Sequence, residues 1–378
     1  MKKFALIVLL LGVSSQAWGF EKTNIPDQFP SLGRSLRPLG MGNAYLTMKG
    51  TDSSNLYYNP AAINDYSQKL NFGVMSPSLD FSTATIGVIK DIKNLSHDLK
   101  GKGNAAQTTT FDTFFTKHVG QFHSMNLFLP VASVQQRWFA ANIILDSRTT
   151  ISLRNQSFPN FEILSHNDGG VAAGTAYGFL DGSLQVGIVG KFLYRAVLSE
   201  IVTITDVTGG NFGDTFAFKN WKKGFGVGAD LGAKYQIPDF DTDILDLLKP
   251  TVAMTYQDVG NTHFSGGAPS TPQSISAGVG VHPDFGFIAT SLDVDMREIN
   301  VKEEMMKKLH VGAEGRFGKY WPVHPALRAG LNQGYPAVGA GLVTRFLSWN
   351  VAYYGEEMGN TTHQKGNYRL ATSLDFNF

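Results

Sequence analysis

The chain has 378 residues with 32 Lys+Arg against 31 Asp+Glu, so it carries no electrostatic surplus with which to grip nucleic acid. Charged residues make up only 17%, while glycine supplies 41 positions and aromatics 12%, a mixture that suits many strands and tight turns. There is no Cys, which excludes a disulfide framework, Cys-ligated zinc, iron–sulfur clusters, thiol catalysis and a lipid anchor on an N-terminal Cys.

Lys2 and Lys3, the apolar run Phe4–Val13 and the small, polar Ser14–Gly19 have the three-part layout of a secretory signal peptide, with cleavage expected after Gly19. Ten apolar residues span about 15 Å as helix, roughly half the hydrocarbon thickness, too short for a permanent anchor. Removing residues 1–19 takes away Lys2 and Lys3 and no acids, leaving an exported, nearly neutral chain. Beyond residue 19 no apolar run is long enough for a helical span. Two classes remain: a soluble exported protein, or an outer-membrane β-barrel whose strands need only about 9–11 residues each.

Residues 20–66 are interrupted by Pro26, Pro30, Pro38 and Pro60 and are too few to bury a core of their own, so they are expected to dock as a hatch or plug inside or beneath something larger. Residues 67–378 read differently, because their apolar residues alternate with the period of a strand. Leu184, Val186, Ile188, Phe192 and Tyr194 oppose Gln185, Lys191 and Arg195. Phe225, Val227, Ala229, Leu231, Ala233 and Tyr235 oppose Gly226, Gly228, Asp230, Gly232 and Lys234. Leu309, Val311, Ala313 and Phe317 oppose His310, Gly312, Glu314 and Arg316. The last segment sets Tyr368, Leu370, Thr372, Leu374, Phe376 and Phe378 against Asn367, Arg369, Ala371, Ser373, Asp375 and Asn377.

A soluble sandwich would alternate in the same way. The glycines, however, fall on the charged face, where a crowded lumen needs small residues, and the chain ends on an aromatic as outer-membrane barrels do. The predicted fold class is therefore all-β: a transmembrane antiparallel barrel of about 14 strands in residues 67–378, with an N-terminal hatch in residues 20–66. Loops are expected at 91–110, 205–223, 238–250 and 258–273, with helical turns at 244–248 and 303–308.

The segment Leu36–Ile63, LRPLGMGNAYLTMKGTDSSNLYYNPAAI, resembles the N-terminal signature of the FadL-like outer-membrane superfamily, through its Gly-Met-Gly-Asn-Ala turn, a polar spacer with Asp52, and the Tyr-Tyr-Asn-Pro-Ala run at Tyr57–Ala61. Segments starting at Lys308, Leu327 and Ala352 are similar to the C-terminal strands of its PorV-like branch. The resemblance implies a fourteen-stranded barrel whose lumenal hatch passes hydrophobic compounds, such as long-chain fatty acids, from outside to a lateral opening. It places Asn59, Pro60 and Ala61 in the hatch, and Gly40 and Gly42 would let backbone run close to the wall. The competing implication is a PorV-like scaffold or shuttle of a secretion system, with a protein partner.

A transported carboxylate would call for one or two lumenal cations above an apolar cavity. By the alternation Lys191, Arg195, Arg316, Arg328 and Arg369 face inward, and the alternative is that they simply pair with Glu314, Asp375 and Asp230. Asp239, Asp241 and Asp243 begin like a calcium loop, but Ile244 and Pro250 stand where Gly and Glu are required. His118 and His123 form no metal motif, and no Gly-x-Ser-x-Gly elbow occurs, so no metal, cofactor or enzymatic activity is expected. Trp138, Trp221, Trp321, Trp349, Tyr353 and Tyr354 suit aromatic girdles at the membrane interfaces, which makes membrane lipids and lipopolysaccharide the expected surroundings.

Overall fold

A computed structural model describes residues 32–50, 52–98, 113–114, 116–154, 160–203, 217–238, 243–301, 304–318, 322–358 and 365–378. The signal peptide, residues 20–31, Asp239, Asp241 and Trp321 lie outside them.

The described chain is a closed antiparallel β-barrel of fourteen staves. The first stave, β1, comes in two segments, Asn71–Val74 and Ser78–Ser82. There follow β2 (Phe122–Gln136), β3 (Phe139–Arg154), β4 (Asn160–Phe179), β5 (Leu184–Thr203), β6 (Lys222–Gln236), β7 (Thr251–Gln257), β8 (Ser274–Val281) and β9 (Ile288–Met296). The set is completed by β10 (Leu309–Phe317), β11 (His324–Asn332), β12 (Tyr335–Val343), β13 (Leu347–Glu357) and β14 (Gly366–Phe376). Each stave pairs with its chain neighbour, and the circle closes where Arg369–Ser373 of β14 meets Ser78–Ser82 of β1. The last residue completes this seam: Phe378 and Phe72 exchange backbone hydrogen bonds at 3.0 and 2.7 Å. No helix among the described residues is long and apolar enough to cross a membrane. The strands are what can span it, because pairing around a closed circle satisfies the backbone polar groups that lipid cannot.

The break in β1 falls at Met75–Pro77, opposite a register shift at Pro130–Ala132 in β2. Proline lacks the N–H that a ladder needs, so both positions fit only where the ladder is irregular. Met75 N and Ser76 N still donate to Val131 O and Pro130 O, and Leu374 N donates to Pro77 O, which bridges the break on both sides. Beyond the shift the parity of β2 reverses, so Ser133 and Gln135 face inward where Asn126 and Phe128 did before.

Connections at one end are mostly short, for example the turn between Gln136 and Phe139, with 237–250 the exception, whereas the other end carries most of the long ones. A two-residue turn at the long-loop end, Gln333-Gly334, has φ of 54° and 85°, the double positive φ that matches hairpin twist. The stretch 91–110, expected to be loop, begins as helix: α3 below runs through Asp98 directly out of β1. The helices are α1 (Leu36–Gly40), α2 (Asn55–Tyr58), α3 (Thr83–Asp98), α4 (Asp243–Leu248) and α5 (Met305–Lys308), with a 3-10 turn at Pro60–Asp65.

The wall is of unequal height. β4 and β5 have 20 residues each, whereas β7 to β12 have 7 to 9. The outward face explains why both heights suit one bilayer. On β3, Phe139, Ile143 and Leu145 are exposed and apolar, but Ser147 and Thr149 above them are polar and hydrogen-bond to Asn167 and Ser165 of β4 at 2.6 and 2.9 Å. Seven residues of strand reach about 20 Å, close to the ~25 Å apolar band of such barrels. The upper part of the tall wall therefore stands in water. At the short-turn end Trp138, Tyr177, Phe179, Phe346, Trp349 and Phe378 are exposed and form a girdle. Tyr354, expected in a girdle, instead points into the lumen and donates to Asp80, because it sits one residue out of phase with the exposed Tyr353.

Candidate functional site

Residues 32–50 and 52–66 lie inside the barrel. α1 packs against β11 to β14, and the 3-10 turn packs against β3 to β6 on the opposite wall. The wall receives this segment with glycines whose missing side chains leave room for its backbone. A Cβ on Gly187 or Gly232 would overlap Pro60 and Ala61, one on Gly312 or Gly330 would overlap Met41, and one on Gly339 would press on Gly40. Gly42 has φ +63°, and a Cβ there would strike backbone of Leu331 and Val311. Asn59 is fully buried: its Oδ1 accepts from Ala61 N at 3.0 Å to cap the 3-10 turn, while its Nδ2 donates to Leu46 O at 2.8 Å. Gly40, Gly42, Asn59, Pro60 and Ala61 thus occupy two separate wall contacts.

Buried polar clamps add to this fit. Arg37 donates twice to Glu314, at 2.9 and 2.8 Å, once to Asp52 at 3.0 Å and once to the Tyr45 hydroxyl at 2.8 Å. Asp295 accepts the backbone N–H of Tyr45 at 2.6 Å and of Leu46 at 3.0 Å, and Thr47 donates to Asp293. Asp65 is held by Lys234, by Gln185 at 2.7 Å and by Gly50 N at 3.1 Å. Burial opposes the charge of Asp65, but Lys234, Gln185 and Gly50 outweigh it and keep its carboxyl below the ordinary carboxylate range. Burial likewise opposes the charge of Asp52, and Arg37 with Ser54 overcomes it.

The five inward cations each meet carboxylates. Lys191 lies 2.8 Å from Asp230 and 2.7 Å from Asp258. Arg195 is paired with Asp168 at 2.8 Å, donates to Pro269 O at 2.9 Å, and sits 4.0 Å from the Phe264 ring. Arg328 and Arg316 both approach Glu314, at 2.7 and 3.2 Å. Arg369 pairs with Asp80 at 3.4 Å and Glu356 at 3.2 Å rather than with Asp375. Sequence reading passed over the carboxylates Asp80, Asp293, Asp295 and Glu356. Asp293 and Asp295 did carry a signal, alternating with Leu292, Val294 and Met296 on β9.

Lys191 and Arg195 also anchor the loop 258–273, which leans over the inner face of β6. β6 pairs with β7 only over Leu231–Gln236; above that, Val259 N donates to Ala229 O and Ser265 N to Phe225 O. Gly224, Gly226 and Gly228 leave the space that Ser265, Phe264 and Thr262 fill. At the long-loop mouth Phe122, Leu164, Val197 and Met358 form a buried apolar cluster, and a separate cluster that includes Phe128, Ile144, Val189 and Leu193 packs against the lumenal segment at Tyr57 and Ile63. On the short-turn side of α1 lies a cavity of about 130 Å³, lined by serines, Asn350, Arg316 and Asp375 together with Leu36, Phe128 and Val343.

No family model matches this chain, and no curated protein matches it in sequence. Solved structures do match in shape. The CymD monoaromatic hydrocarbon channel superposes with a TM-score of 0.50 at 12% identity, covering 92% of this chain and 98% of that one. A deltaS2S3 mutant of the TodX monoaromatic hydrocarbon channel gives 0.52 at 13% identity, covering 92% and 99%. The fold is that of these outer-membrane channel barrels. The likeness runs over nearly the whole of both chains.

Proposed function

We propose that this FadL-type barrel is an outer-membrane channel for passive uptake of hydrophobic compounds, with residues 20–66 as its hatch and cleavage after Gly19 as the step that frees the mature chain. The observation that carries this reading is a lumen filled by an N-terminal segment, with one apolar cluster at the long-loop mouth and a second packed against that segment. A hydrophobic solute that reaches the cluster at the mouth gains by taking its apolar area out of water there. The named function of the two matched channels supports the same class of solute. Passage then requires the hatch to yield at Gly40 and Gly42 on one wall, or at Asn59, Pro60 and Ala61 on the other. The test is uptake of labelled toluene and oleate by cells that express the chain in place of their own hydrophobic-compound channels. Accumulation above the empty-vector rate is expected, and no gain with either solute defeats the reading.

A scaffold for exported proteins is the second reading, favoured by the tall wall of β3 to β5, whose Ser147–Asn167 flank stands above the lipid-facing band. Stoichiometric co-purification of a secreted protein, with no uptake, would select it.

A further inference from the structure

The cavity beneath α1 has dimensions and chemistry that go beyond a generic hydrophobic path. Its volume of about 130 Å³ is near that of a cavity known to hold a benzene ring. A ring fits within it, whereas an extended long acyl chain would reach beyond it. The lining is mixed, with hydroxyl and amide groups from Ser133, Ser348 and Asn350 alongside Leu36, Phe128 and Val343. Its charges are balanced: Arg37, Arg316 and Arg328 gather on Glu314 and Asp52, and Asp375 is held by Asn350 at 3.3 Å and Ser373 at 3.5 Å. Such a site selects neither an anion nor a cation. It rewards a neutral molecule with an apolar face and donor–acceptor groups on its edge, since burying those edge groups unpaired would cost about 1–3 kcal/mol each.

We infer that this cavity is a binding station, on the short-turn side of the hatch, for neutral hydroxylated ring compounds of the dihydroxybenzene class. The inference rests on the uptake reading and narrows its substrate, away from long-chain fatty acids at this station. Wall and lumenal segment both line it, the segment through Leu36, Arg37 and Asp52, so occupancy and hatch position are coupled.

The experiment titrates the purified full chain in detergent with catechol, toluene and decanoate by calorimetry. Catechol is expected to bind one to one and more tightly than either comparator. Ser348→Phe, which fills the cavity, should weaken catechol by about ten-fold or more. Ser133→Ala with Ser348→Ala, which keeps the space and removes two hydroxyls, should weaken it several-fold while heat-modifiable migration stays intact. Catechol binding no tighter than toluene or decanoate, or unchanged in both variants, overturns the inference. The uptake assay stays separate: cells that accumulate toluene while the purified chain fails to bind catechol sink this inference alone, whereas absence of all uptake sinks the broader reading whatever the titration shows.

Discussion

Glu314 shows how much one lumenal residue organises. It receives Arg37 from the hatch and Arg328 and Arg316 from the wall, so removing its charge leaves three guanidinium groups crowded without their shared counter-ion. Glu314→Gln should destabilise the folded barrel by roughly 3–5 kcal/mol, the cost of leaving buried charge uncompensated. The measurement is the temperature at which the fast-migrating folded band disappears on gels. Asp65 gives a pH prediction. Its carboxyl is held below the ordinary range, so the stability it lends is present above the unfolded value of about 4 and is lost as pH falls through the folded one. Single-channel conductance should stay low from neutral pH down to about pH 4 and rise below it as the Asp65–Lys234 clamp releases. Lys234→Met, which removes the partner, should bring the rise to higher pH.

On the proposed uptake reading the lumenal segment and the inward-leaning loop are the elements that move, and each is seated on glycines. Gly232→Val places branched carbons where Asn59 and Pro60 now lie, which is incompatible with the seated 3-10 turn. The expected outcome is raised conductance and uptake with unchanged barrel migration; unchanged permeability would argue that this contact does not gate. The loop 258–273 depends on Asp258, which accepts from Lys191 at 2.7 Å and from Thr262 at 2.7 Å. In Asp258→Asn the charge of Lys191 falls to Asp230 alone, and the loop should become several-fold more sensitive to external protease than in the wild type. The same elements show what local sequence conveys. Pro60 after Asn59 reads as a turn start, and the structure has that turn. Gly187 and Gly232 look like any other strand glycines until the hatch is placed against them.

At the scale of the whole barrel, unequal wall height predicts a water-exposed flank. Since the chain has no Cys, single substitutions report exposure cleanly. Asn167→Cys, beside Ser147 on the upper outer face, should react with an impermeant maleimide on intact cells, whereas Ile143→Cys in the apolar band should stay unlabelled. Equal labelling of both would contradict the placement of the bilayer.

The strands were legible in the sequence because each strand separates two environments, and a two-residue period must then appear in every one: Arg369 and Leu370, or Lys191 and Phe192, fall on opposite faces whatever the rest of the chain does. That local rule determined the strands, the inward set of cations and the outward-facing aromatics, while the choice of barrel over sandwich rested on the glycines of the charged face. It failed where parity alone was misjudged, at Tyr354, and where a helix, α3, replaced an expected loop. What only the tertiary structure decided is partnership across the lumen. Arg37 meets Glu314, Asp65 meets Lys234 and Tyr45 meets Asp295, pairs separated by more than 160 positions in the chain. Closing a barrel around a folded segment brings such residues together through strand tilt and register, and neither leaves a periodic trace in the sequence.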